Sequence, residues 1–206
     1  MNVPNTIWVP ARRSVFQNLP PNDRSSDKSP SPPPSPVLGP AGVGDSDGGL
    51  WAGWALVGFV GLCLLVGAAG GAVTAPAIRG WYLSLARPPG VPPDWVFAPV
   101  WTTLYILMGV AAWLVWCRLP LGEARTALRL WGWQLAANAI WTPMFFALHS
   151  PGVALAVILG LLGLIGLTLH TFLRVRLLAG WLLVPYVGWV CYATYLNAGF
   201  WWLNRG

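Results

Sequence analysis

The sequence predicts an all-α integral membrane protein, a five-transmembrane-helix bundle behind a disordered N-terminal tail. Three observations carry this. Of 206 residues, 56% are hydrophobic and only 9% charged. An average soluble domain has about 25% charged residues, and a globule in water would lack the charge to cover its surface. Five apolar stretches follow residue 49, each of about 20 residues or more, enough to cross a hydrocarbon core of about 30 Å as a helix. The first 49 residues are instead rich in Pro, Ser and Gly.

That tail, residues 1–49, cannot bury a core. Its segment SPSPPPSPVLGP from Ser29 to Pro40 reads as polyproline-like or disordered. Residues 1–22 hold Arg12 and Arg13 and no acid, a composition shared by organellar targeting segments and by plain tails. No apolar signal region precedes Leu50.

The membrane domain is residues 50–206, with spans at about 50–74, 95–116, 125–148, 152–173 and 177–202. Ala75-Pro76 closes the first span, Pro92-Pro93-Asp94 opens the second, and His149-Ser150-Pro151 separates the third from the fourth. Helices are required, because lipid offers no partner to an open strand edge, and period-two alternation is absent. The connection from Pro76 to Asp94 is long, stiffened by Pro88, Pro89, Pro92 and Pro93, and carries Arg79, Trp81, Tyr82 and Arg87. It is a candidate lid or an interfacial segment.

Charge follows the same division. Up to residue 50, four cations balance four Asp; the whole net +6 comes from eight Arg against Asp94 and Glu123. These Arg flank the apolar stretches, as at membrane surfaces with anionic headgroups, so the partner they imply is membrane lipid and not nucleic acid. Arg118, Arg125, Arg129, Arg174 and Arg176 share the side of the tail, against Arg79, Arg87 and Arg205 opposite, which places the tail inside.

Hydrolytic and metal chemistry are poorly supplied. No acid lies within a span, and Cys63, Cys117 and Cys191 are scattered. The lone helical His170 is better explained by packing than by ligation. No metal site and no required cofactor are expected. Trp113, Trp116, Trp131, Trp133, Trp201 and Trp202 near span ends fit an interfacial belt. The rows Gly67/Gly71 and Gly160/Gly163/Gly166 permit close helix approach, within the chain or between copies.

Helical spacing singles out three faces. Gln134, Asn138, Trp141 and Phe145 share a face of the third span. Two amides inside a span must face protein, water or ligand. Trp189, Ala193 and Asn197 stack on the fifth span after Pro185, and Phe97, Trp101 and Tyr105 on the second around Pro99. Such faces either pack the bundle or enclose a flat, mostly apolar ligand.

These residues also form a connected pattern. Trp81-Tyr82, Arg87-Pro88, PPDWVFAPVW from Pro92 to Trp101 and Leu104-Tyr105 are followed by QLAANAIWTPMFF from Gln134 to Phe146. PYVGW from Pro185 to Trp189, Ala193-Thr194 and Leu196-Asn197 complete it. This resembles the tryptophan-rich sensory protein / translocator protein family, which includes the peripheral-type benzodiazepine receptors. The match runs in order through about residues 50–204.

The resemblance implies a five-helix bundle, commonly a homodimer. It implies binding of porphyrin-like tetrapyrroles (protoporphyrin or haem) and, in some members, sterols, between the helices beneath the first loop. Trp101, Asn138, Phe145, Trp189, Ala193 and Asn197 fall on the family's pocket positions. With Trp81, Tyr82, Arg87, Trp95, Phe97, Tyr105, Gln134 and Trp141 they form the candidate ligand-binding set. Gly90 stands where the family often has Trp, and Arg87 where it has Lys, which keeps the charge and adds a planar fork suited to a propionate. Nine residues separate Tyr195 from Arg205, which breaks the short sterol pattern and weighs against a sterol. The long tail resembles plant-type members of organellar or secretory membranes; bacterial members lie in the cell envelope.

The resemblance admits three functions. The first is a receptor or sensor for tetrapyrroles. The second is a transporter of them, for which the sequence shows no inverted repeat. The third is light- and oxygen-dependent porphyrin degradation, with Trp101 and Trp189 as the oxidisable residues. The first is favoured.

Overall fold

Apolar chain in lipid must satisfy its backbone within each segment, and the structure does so with helices alone among the described residues. The computed structural model describes residues 45–118 and 122–205, with side chains from Gly49. The expected tail and the 1–22 segment lie outside these residues, apart from 45–49. The helices are α1 (Asp45–Ile78), the single turn α2 (Trp81–Ser84), α3 (Asp94–Trp116), α4 (Gly122–Phe146), α5 (Pro151–Val175) and α6 (Leu177–Leu203).

Helices α1, α3, α5 and α6 are long and apolar enough to cross a membrane by length and composition. Helix α4 falls short on composition, because Glu123, Arg125 and Arg129 occupy its first turns and Gln134 and Asn138 its middle.

Some ends differ from expectation. Helix α1 starts at Asp45 rather than Leu50, and it runs through Pro76 to Ile78 instead of closing at Ala75-Pro76. A proline in the last turn forfeits one backbone bond, and the helix is about to end there anyway. Helix α4 spans 122–146 rather than 125–148. Its exit is set by Ala147 and Leu148, whose N–H groups both donate to the Pro143 carbonyl at 2.9 Å. His149 then turns the chain with φ 50°. Pro151 starts α5, where its missing N–H costs nothing. Arg176 alone, in extended conformation, joins α5 to α6.

The five long helices close into a ring in the order α1, α3, α6, α5, α4 and back to α1. Helix α1 is thus seated between α3 and α4. Its junction with α3 is tight at Gly109, where a Cβ would lie 2.6 Å from the Val60 Cα. Small residues permit such approach in a membrane. Tyr105 lies over Gly67 in the same way. Gly71, Gly160, Gly163 and Gly166, by contrast, face open space, so they make no close crossing within the chain.

The core is built from Met108, Val115, Ile158, Leu161, Ile165, Phe172, Leu183 and Tyr186. Trp131 belongs to it. Expected in the interfacial belt, it is only 5% exposed and lies edge-on to Phe59 at 5.5 Å. Its place near a span end was legible, but not that α4 turns this face onto α1. Trp133 and Trp202 are exposed.

Candidate functional site

The half of the bundle next to the 79–93 connection is less tightly filled. Here α1, α3, α4 and α6 enclose a cavity of about 540 Å³, within the range of pockets for drug-sized ligands. A smaller one of about 40 Å³ adjoins it.

The spacing-derived faces meet in this cavity. Phe97, Trp101 and Tyr105 supply the α3 wall, Asn138 and Trp141 the α4 wall, and Trp189 and Ala193 the α6 wall. Tyr82 of α2 caps it. Phe145 and Asn197 line the smaller cavity, which Tyr82, Phe97, Trp141 and Ala193 share.

Four candidates line neither cavity. Gln134 is buried beside Met108, to whose sulfur its Nε2 donates at 3.7 Å; it lies one turn too deep. Trp81 packs edge-on to Phe145 at 5.9 Å and stacks on His149 at 4.3 Å. Arg87 holds its guanidinium over the Tyr82 ring, 5.2 Å from the centroid. Trp95 is 75% exposed, directed away from the bundle.

The α1 wall was missed. Gly67, Gly70, Gly71 and Thr74 line the cavity, yet a run of small apolar residues carries no polar or aromatic signal. Thr142 and Phe146 of α4 also line it; Thr142 lies four residues beyond Asn138, so the face already identified could have included it.

Buried polar groups fix the walls. Tyr105 OH donates to Asn138 Oδ1 at 3.1 Å, and Asn138 Nδ2 donates to Tyr186 OH at 2.7 Å. One amide therefore ties α4 to both α3 and α6. Trp141 Nε1 donates to Asn197 Oδ1 at 3.0 Å, and Asn197 Nδ2 donates to the Pro151 carbonyl at 2.7 Å. That chain joins α4, α6 and the start of α5. Both networks turn the costly amides of a span into interhelical links.

Trp189 Nε1 is different. It is buried without a hydrogen-bond partner while its ring lines the cavity, and it lies edge-on to Phe97 at 6.0 Å. An unsatisfied donor is costly in a membrane; Trp131 Nε1 and Gln134 Oε1, outside the cavity, are unpartnered in the same way. The Tyr82 hydroxyl is pushed above its usual pKa mainly by burial; Arg87 partly offsets this and Asp94 adds to it. The tyrosine at the rim is therefore a neutral donor at physiological pH.

The 85–93 connection is tied to α6. Asn204 bonds both backbone groups of Ala86, at 2.9 and 3.0 Å. Tyr195 OH donates to the Pro89 carbonyl at 3.0 Å, and Tyr192 OH donates to that of Gly90. Pro88 packs against Gly199.

The fold and this cavity define an all-helical integral membrane protein with an aromatic-walled chamber between its helices. The chain belongs to the TspO/MBR family, which matches residues 59–203. It is 42% identical to the tryptophan-rich protein TspO of Chlorobaculum tepidum over 139 residues, 67% of this chain and 88% of that protein. It is 38% identical to the translocator protein of Ovis aries over 148 residues, 69% and 88% of the two chains. A tryptophan-rich sensory protein of Cereibacter sphaeroides is 39% identical over 130 residues, 60% and 80%.

Proposed function

We propose that this protein is a membrane receptor or sensor for porphyrin-like tetrapyrroles, with all five long helices crossing the bilayer. The observation that carries this reading is the cavity itself: about 540 Å³, walled by Trp101, Tyr105, Trp141 and Trp189. Flat, electron-rich rings stack on such walls. Polar side chains are a minority of the lining, as in ligand pockets generally: Thr74, Asp94, Thr102, Thr142, Asn138, Tyr82 and Tyr105 stand among apolar and aromatic walls.

The charged edge suits the same ligand. Arg87 lies on the outer face of Tyr82, where a propionate extending past the rim would meet a guanidinium fork. No His, Cys or Met is among the residues lining the cavity. Stacking and carboxylate contacts would hold haem and metal-free protoporphyrin alike, and Tyr82 and Tyr105 are the lining residues of a type that can ligate haem iron. No resident cofactor is invoked.

Titration of the purified chain with protoporphyrin IX and, in parallel, with a sterol tests the reading. The expected result is saturable quenching of Trp fluorescence by protoporphyrin, lost on Trp189→Leu, with a weaker sterol response. Absence of saturable quenching sinks it. A second reading is porphyrin degradation through Trp101 and Trp189, supported by their both lining the cavity. Loss of the porphyrin absorption bands under light and oxygen, abolished by Trp189→Phe, would establish that second reading.

A further inference from the structure

We infer that ligand reaches this cavity sideways from the bilayer, through a gap between the loop-side halves of α1 and α3, and not by lifting the 85–93 connection. This rests on the proposed function, since it concerns the same cavity.

The lining residues divide sharply by exposure. Those on α4 and α6, Asn138, Trp141, Trp189 and the rest, are buried or half-buried. Every exposed one lies on α1 or α3. On α1 they include Ala68, Gly71 and Ala75, one stripe by helical spacing; on α3 they include Ala98 and Thr102, one turn apart. Leu64 at the deep end of the α1 stripe and Asp94 at the loop end of the α3 stripe are the larger members; between them the side chains are small and leave the edge less filled.

The ring order puts this edge on the outside of the bundle. Helices α1 and α3 are neighbours, and their far sides are covered by α4 and α6. The two touch backbone to backbone at Val60 and Gly109 and remain in contact at Gly67 and Tyr105. Beyond that, toward the loop, the lining residues Gly71 and Ala75 of α1 and Ala98 of α3 are exposed. An opening between them has its deep end at the Gly67–Tyr105 contact and its mouth toward the loop.

The alternative route is held shut. Residues 85–93 do not line the cavity; they are bound to α6 through Asn204, Tyr192, Tyr195 and Gly199. Displacing them would break four hydrogen bonds and still leave Tyr82 as the cap. The molecule that fits the lateral gap is a flat hydrophobe partitioned into one leaflet. Its carboxylate end stays on the loop side, where Tyr82 and Arg87 lie, and its ring slides between the helices.

The test is stopped-flow Trp quenching by protoporphyrin IX, with the full chain in liposomes. Gly71→Leu and Ala98→Leu narrow the gap, and at Gly71 the added side chain meets open space. Each is expected to slow both association and release about tenfold. Asn204→Ala and Tyr192→Phe loosen the latch outside the cavity and are expected to leave both rates within about twofold. The route is overturned if the bulky variants bind and release at wild-type speed, including where only equilibrium quenching falls. It is overturned equally if the latch variants accelerate exchange. A wild-type protein that shows no quenching at equilibrium removes the proposed ligand class itself, a different failure, and this route with it.

Discussion

Trp141 and Asn197 are joined across the bundle, indole Nε1 to amide Oδ1 at 3.0 Å, and the same amide donates onward to the Pro151 carbonyl. Asn197 is 2% exposed, whereas Trp141 and Pro151 are half-buried. Asn197→Ala leaves the Trp141 N–H and the Pro151 carbonyl without this partner, a loss of about 1 kcal/mol or more. The thermal midpoint in detergent is expected to fall. Porphyrin affinity is expected to fall further than the midpoint explains, because the Trp141 ring loses its anchor. Wild-type affinity in Asn197→Ala would show that the Trp141 orientation does not matter to the site.

Two glycines with different surroundings test the packing of α1. A methyl at Gly109 lies 2.6 Å from the Val60 backbone, whereas one at Gly160 meets nothing within 4 Å. Gly109→Ala should therefore destabilise by about 1–3 kcal/mol through overpacking. Gly160→Ala should be neutral or slightly stabilising, since helix propensity favours Ala by about 1 kcal/mol. Equal midpoints for the two variants would contradict the close α1–α3 crossing.

Ala193 lies between Trp189 and Asn197 on α6 and borders both cavities. Its methyl leaves room beside the Trp189 ring. Ala193→Leu fills this space, so ligand binding should fall at least about tenfold, or 1.4 kcal/mol, while the thermal midpoint moves little. A stable Ala193→Leu protein with intact affinity would exclude α6 from the site.

Arg87 is exposed and reaches the rim only through Tyr82. Arg87→Gln keeps the length and removes the charge. Protoporphyrin binding is expected to weaken by about 0.5–2 kcal/mol, the worth of an exposed to partly buried charge-assisted contact. An uncharged benzodiazepine-type ligand should be nearly unaffected. Equal weakening of both would assign Arg87 to holding Tyr82 in place instead.

Local periodicity determined a great deal. The all-helical class, the approximate course of the long helices and the shared faces of Asn138 with Trp141 and of Trp189 with Ala193 follow from 3.6 residues per turn and from the length a bilayer requires; the count did not, since the structure adds the turn α2 and gives four helices apolar enough to span. Those are properties of single segments, and eight of the candidates do line the main cavity. Which helices touch was decided elsewhere. Nothing local says that α1 is seated between α3 and α4, because α1 is apolar on every side and lipid does not distinguish its faces. The small residues of its Gly67–Thr74 run became a cavity wall only when Gly109 drew Val60 against α3. Tertiary packing likewise decided that Gln134 lies one turn below the chamber against Met108, and that Trp131 is core. It also decided that the Pro-rich connection is bound along α6 by Asn204. Depth along a helix and the choice of neighbour depend on side-chain fit between segments, which a one-dimensional pattern does not encode.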